Sequence, residues 1–312
     1  MRRDFPRARG FLGLTMLALL ALPMSGCGGG VPEKDQAVLQ SAPEAQIPTK
    51  PPVPEKAPPP TTKGDPSSPA PSGGTPTPAG KAAGWGTLKG RVVYGGTPPR
   101  QPVLQAIGKA TKDPEVCAKS EPILDERLVV NSSNRGVANA FVYLMRPTAV
   151  NEDAKKRALA HPAEFDQKNC VFLPHSMAVM VGNSIHLKSS DPASHNVNIQ
   201  LRSLTQNPSM PPGSQMTITP DTPERGPGPV SCNIHPWMIA YWLVLEHPYF
   251  AVTDRDGNFE IRDAPAGEQK VVVWQEAARY LTPSAGDPIA IGAGETTTKD
   301  FTIDPAKVNS GG

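Results

Sequence analysis

The chain reads as short runs of alternating apolar and polar residues, broken by Gly, Pro, Asn and Asp. Thr87–Tyr94 alternates and stops at Gly95-Gly96, and Ala138–Leu144 is a second run. Ala178–Val181 and Ser184–Lys188 flank Gly182-Asn183, while Phe250–Thr253 and Phe259–Arg262 flank Asp256-Gly257. Both dipeptides are hairpin-type turn signals. Further strands are predicted at His195–Leu201, Met216–Thr219, Gln269–Gln275 and Thr297–Ile303, with a long apolar strand at Ile239–Glu246. The helical candidate is 150–160, rich in Ala, Lys and Glu. Many short strands with Gly/Pro turns argue an all-β sandwich or barrel.

Before residue 85 the pattern changes. Arg2, Arg3, Arg7 and Arg9 precede an apolar run, Phe11–Leu22, which is too short to span a bilayer and ends at Pro23. This is the layout of an export signal. The following Met24-Ser25-Gly26-Cys27 resembles the lipobox of bacterial lipoproteins, in which the Cys is acylated and becomes the first residue. The resemblance implies lipidation at Cys27 and an exported protein anchored in the cell envelope, on the periplasmic side or at the outer membrane. Signal cleavage nearby with a free Cys27 is the alternative. Residues 28–84 hold 14 prolines and no aromatic residue. Such a segment cannot bury enough apolar surface to offset its ordering entropy, so it is expected to be a disordered linker of polyproline II character. The expected boundaries are a signal at 1–26 and a linker at 27–84. The formal charge is +2, but removing the Arg-rich signal leaves about −1. No basic footprint remains, which argues against nucleic acid as a partner and against a purely electrostatic membrane contact.

Candidate chemistry is concentrated in one stretch. Residues 232–238 read Cys-Asn-Ile-His-Pro-Trp-Met, and His195 lies 37 residues before Cys232. Two imidazoles, a thiolate and a thioether are the donor set of a blue-copper centre. Soft Cys and Met ligands suit Cu(I) as well as Cu(II), which favours electron transfer with little rearrangement. Zinc accepts His and Cys but not Met. Cys and Met are also common as plain core residues. The loop lacks the second Cys that a binuclear centre needs, and the six histidines include no His-x-His pair, so oxidase chemistry is unsupported. Of the four cysteines, Cys117 and Cys170 are left over. In an oxidising compartment they are expected to pair, closing a loop worth about 4 kcal/mol in the chain-entropy account; two buried free thiols are the alternative.

The Cys-x2-His-x2-Met loop, with Pro236 after its His, and the His195-Asn196-Val197 strand resemble the cupredoxin family, amicyanin most of all. The resemblance implies one type 1 copper held by His195, Cys232, His235 and Met238, with Asn196 steadying the loop near the Cys sulfur. It also implies that His235 is the exposed edge through which electrons pass; Pro236 and Trp237 beside it make an apolar rim suited to docking a redox partner protein, with burial of Trp237 against the sandwich as the alternative. Gly90-Arg91-Val92-Val93, Ala138–Leu144, Val252–Phe259 and Ala264-Pro265-Ala266-Gly267 resemble the carboxypeptidase-regulatory, transthyretin-like (Ig-like) β-sandwich. That resemblance implies a discontinuous module at 85–148 and 249–305, a cupredoxin Greek-key sandwich inserted at 149–248, and a tail at 306–312. Asp254 and Asp256 fit a β-turn better than a calcium loop, since no acidic residue closes the loop. His175 is expected to approach the site or cap a strand. His186 alternates along a strand, His161 and His247 fall in loops, and Met210 is placed at the rim of the site. The expectation is a non-enzymatic, membrane-anchored carrier of single electrons. A copper storage or delivery protein and a structural cell-envelope module are the alternatives.

Overall fold

The computed structural model describes residues 84–308. The signal 1–26, Cys27, the linker up to 83 and residues 309–312 lie outside the described residues. The fold is all-β, in several sheets. Among the described residues there is one α-helix, Glu152–Leu159. Asn151 starts it by accepting from the N–H groups of Asp153 and Ala154, and its charges run acidic to basic along the axis.

One pair of sheets surrounds the residues of interest. The first runs Thr205–Gln206, Asn198–Gln200, Gly228–Ser231, Ile239–Leu245, Ser176–Met180, each strand paired with the next. The second runs Gln215–Ile218, Ile185–Ser189, Ala163–Lys168, Val171–Leu173. Their shared core includes Phe165, Phe172, Leu187, Ile199, Val230 and Trp242. Phe165 meets Trp242 edge to face at 4.9 Å, a favoured aromatic geometry. Ala110, Cys117, Ala118 and Ile123, from the segment expected to belong with the outer sandwich, also enter this core.

Two other sheets enclose a second core. Trp85–Tyr94 pairs antiparallel with Asn258–Pro265 and parallel with Thr296–Thr298 and Phe301–Ile303. Phe141–Leu144 lies between Phe250–Val252 and Gly267–Gln275. Leu88, Val92, Val142, Leu144, Ile261 and Val273 fill the space between them. A third cluster joins the two cores: Tyr241, Leu243 and Leu245 pack with Phe141, Tyr143, Val272 and Trp274. The alternation of side chains along a strand explains this. In Ile239–Leu245, Ala240, Trp242 and Val244 face the first core while Tyr241, Leu243 and Leu245 face the junction. A strand covered on both sides reads as a continuous apolar run.

Both turn dipeptides are turns, but neither closes a hairpin. Ser176–Met180, before Gly182, pairs parallel with Ile239–Leu245, whereas Ile185–Ser189, after it, pairs with Ala163–Lys168 and Gln215–Ile218. Likewise Phe250–Val252 pairs with Phe141–Leu144, and Asn258–Pro265 with Trp85–Tyr94. Each turn carries the chain from one sheet to the other. Gly257 is needed there: its φ is +79°, and a Cβ would fall 2.3 Å from Val92 O. Asp254 accepts from the N–H groups of Asp256 and Asn258 and from the Asn258 amide. Asp256 accepts from the amides of Asn131 and Asn134. Both carboxylates are thus engaged in shaping the turn.

Candidate metal centre

The loop 232–238 joins two adjacent strands of the first sheet. Gly228–Ser231 pairs antiparallel with Ile239–Leu245, in register Ser231 to Ile239. The strands therefore close the loop, and its own backbone tightens it: Cys232 N–H donates to Met238 O at 3.1 Å and Met238 N–H to His235 O at 2.9 Å. His195 and Asn196 lie on a short strand paired with Ser209–Met210. Asn196 Oδ1 accepts from Asn233 N–H at 2.8 Å and lies 3.4 Å from Cys232 Sγ. One side chain thereby ties the His195 strand to the Cys232 loop.

His195, Cys232 and His235 converge, with one donor atom from each lying within 4.8 Å of the others. All three are buried, and Met238 is buried on the same loop. His195 Nδ1 is 3.0 Å from His235 Nδ1, and Cys232 Sγ is 3.8 Å from His235 Nδ1. The outer nitrogens face carboxylates: His195 Nε2 is 2.9 Å from Asp191 Oδ2, and His235 Nε2 is 2.8 Å from Asp113 Oδ2. A carboxylate can only accept, so each Nε2 carries its proton and each Nδ1 is turned inward.

Electrostatics match this arrangement. Burial alone would depress the His195 pKa, but hydrogen bonds with Asp191 and Cys232 outweigh it and raise it to about 9. Burial alone would push the Cys232 thiol up, but hydrogen bonds from the His195 and His235 side chains, and then from the Asn196 and His235 backbone, bring it down to about 5. Both shifts favour a Cys232 thiolate beside a His195 imidazolium, and the 3.0 Å between the two Nδ1 atoms calls for a proton between them. A proton thus sits between donors that would otherwise present three lone pairs to one point. A soft or borderline cation displacing that proton would meet two imidazole nitrogens and a thiolate, with Met238 on the same loop. The donors fit copper.

The remaining expected residues divide between those placed as expected and those that are not. His235 is 0 % exposed, against its expected role as an exposed edge. The reason is Asp113, which reaches across from a distant segment and covers Nε2. Trp237 is half-buried, its Nε1–H donating to Cys170 O at 3.0 Å and its ring 5.3 Å from that of His235. Pro236 is exposed, as are Ile234 and Ile239 on either side of it. Met210 is not on a rim: it is buried and pairs across the ladder with His195. His175 is buried with Nε2 2.7 Å from Glu276 Oε2, so it joins the two halves of the molecule. His247 lies in the bend between Ile239–Leu245 and Phe250–Val252, a loop as expected, and is buried there. Cys117 and Cys170 form the expected disulfide.

Sequence reading missed Asp113 and Asp191. Asp191 had a local signal, standing four residues before His195. Asp113 had none, lying 122 residues from His235.

No family model matches the chain. No curated protein matches it either. Several solved copper proteins resemble part of it. A copper-containing nitrite reductase from Thermus scotoductus SA-01 is 20% identical over 28% of this chain and 23% of its own, at a TM-score of 0.25. An amicyanin variant in its reduced Cu(I) form at pH 4 is 20% identical over 27% of this chain and 81% of its own, again at 0.25. A purple cupredoxin from Nitrosopumilus maritimus is 16% identical over 26% of this chain and 98% of its own, at 0.23. The chain thus spans under a quarter of the reductase's length. At these scores the metal centre stands on its own geometry.

Proposed function

We propose that this chain is an exported, membrane-anchored protein that carries single electrons through one type 1 copper held by His195, Cys232, His235 and Met238. The observation that carries the reading is the convergence of two Nδ1 atoms and a thiolate in a buried site, with both Nε2 edges held by carboxylates. Bound copper supplies a one-electron couple between Cu(II) and Cu(I). The protein's part is to hold the donors so that neither state needs them to move. Asp191 and Asp113 fix the rings, Asn196 fixes the Cys232 loop, and burial excludes water and exchangeable ligands. No residue here is assigned substrate chemistry, so the protein is read as a carrier and not an enzyme.

The closed site favours electron carriage over copper delivery, because delivery needs a donor that can swing out to a receiving protein. Docking is assigned to Pro236 and Trp237, which follow His235 on the ligand loop, where a brief contact with a redox partner protein needs only a small interface. Lipid attachment at Cys27 would hold the folded part near a membrane through the Pro-rich linker. No helix among the described residues is long and apolar enough to cross one. The test is copper retention by the full chain after desalting, followed by a redox titration. One copper per chain with a reversible one-electron transition supports the reading. Copper that is lost on desalting, or that passes readily to a competing chelator, moves the assignment to storage or delivery.

A further inference from the structure

The Cys117–Cys170 disulfide stands beside the proposed metal centre. Both of its sulfurs lie within 4.8 Å of a nitrogen of His235, and Cys170 Sγ lies equally near an Asp191 oxygen and a His195 nitrogen. Cys170 bonds the Asp191 carboxylate directly, and Cys117 bonds the backbone of Asp113, the residue that supplies the other carboxylate. Cys117 N–H donates to Asp113 O at 2.7 Å, and Val116 N–H to the same oxygen at 2.9 Å. The Asp113 carboxylate, so anchored, reaches His235 Nε2. The Asp191 carboxylate accepts from Asn169 N–H at 2.6 Å and Cys170 N–H at 2.8 Å, and meets His195 Nε2. Cys170 O takes the Trp237 indole N–H, which pins the metal loop.

The segments joined by the bridge are unlike ordinary loops. Asp113, Ala118, Asn169 and Cys170 all have positive φ, between 43° and 55°. Non-glycine residues keep that conformation only where their surroundings hold them. Asp113 lies outside any strand or helix. Its side chain makes one hydrogen bond outside its own turn, to His235, while its neighbours Ala110, Cys117 and Ala118 pack into the first core.

We propose that the Cys117–Cys170 disulfide is a clamp that holds Asp113 on His235 and Asp191 on His195, making the two carboxylates positioning residues of the metal centre and Asp113 its cover. This rests on the metal reading of the site. An imidazole whose Nε2–H has lost its acceptor can turn and change tautomer, so the Nδ1 pair would no longer be preset for a metal.

The test uses the full chain, as wild type, as Cys117→Ser with Cys170→Ser, as Asp113→Ala and as Asp113→Asn. In metal-free protein, diethylpyrocarbonate modification is followed residue by residue by mass spectrometry. The wild type should protect both histidines. In Asp113→Ala and in the disulfide-free variant, His235 should react about tenfold faster or more, as expected when a held contact need not open first. In Asp113→Ala, His195 should stay protected by Asp191. Asp113→Asn keeps an acceptor and should restore most of the protection. Copper affinity, by chelator competition, should fall about 10- to 100-fold in the first two variants and less in Asp113→Asn. A folded disulfide-free variant with wild-type His235 protection and affinity overturns the clamp, as does rapid His235 modification in the wild type. If the disulfide-free variant does not fold, Asp113→Ala decides: unchanged protection overturns the cover. A wild type that binds no copper sinks the metal reading, while the modification rates still decide whether the bridge and Asp113 cover His235.

Discussion

His195 and His247 are buried almost equally, at 0 % and 3 % exposure, yet burial has opposite consequences for them. Burial depresses both. At His247 it wins, and the pKa falls to about 4, because the groups opposing it are backbone ones, at Leu144 and His247 itself. At His195 it loses to a carboxylate and a thiolate, and the pKa rises to about 9. The same apolar setting therefore holds one neutral histidine and one charged one. Partners with charge, rather than depth, separate a histidine that packs from one poised to exchange its proton for a metal. His247 accepts Tyr249 N–H on Nδ1 and stacks on the Tyr249 ring, 5.7 Å between centroids.

The largest effect is expected at Cys232. Cys232→Ser should abolish any thiolate-to-copper charge-transfer band while leaving the far-ultraviolet circular dichroism unchanged. A band surviving the substitution would assign the thiolate elsewhere. Next in size, Asp191→Ala leaves His195 buried without its carboxylate and frees the N–H groups of Asn169 and Cys170. It should cost about 3–5 kcal/mol in denaturant unfolding of the metal-free protein. A loss below about 1 kcal/mol would mean that the buried pair is not a pair.

His247 sharpens the contrast through pH. Its folded pKa lies below its ordinary value of 6.5. The stability it contributes is therefore present above 6.5 and is lost as pH falls through about 4. The loss is about 3 kcal/mol over that window. His247→Gln should flatten this part of the stability–pH curve, and a curve of unchanged slope would remove His247 as its source. The smallest effect is expected at Asp113, whose side chain is 40 % exposed. Asp113→Ala should change global stability by less than about 1 kcal/mol, although it uncovers His235. A larger loss would make Asp113 a folding residue rather than a cover.

The parts of the molecule legible in the sequence were those whose partners are close along the chain. The Cys232–Met238 loop could be read because its strands flank it, so local spacing is spatial spacing. The alternation in Trp85–Tyr94 was equally plain, since every second residue faces the same core. Gly182-Asn183 and Asp256-Gly257 show the limit. A turn dipeptide reports that the chain reverses but not which sheet the next strand joins, and sandwiches are built by strands that change sheets. The strands Ala163–Lys168 and Gly228–Ser231 escaped because short polar or Gly/Pro-containing runs acquire their partners only from the tertiary fold. Asp113 was invisible for the same reason. Nothing near it indicates a histidine 122 residues away, and the disulfide that brings the two regions together is itself a long-range contact.

If His195, Cys232, His235 and Met238 form one blue-copper site, bound copper will carry its spectrum. The most direct measurement is the visible absorption and electron paramagnetic resonance spectrum of the full chain after Cu(II) is added and the excess removed. An intense thiolate-to-copper band with a small copper hyperfine splitting is the predicted result. A pale spectrum of ordinary Cu(II), or no retained copper, would contradict it.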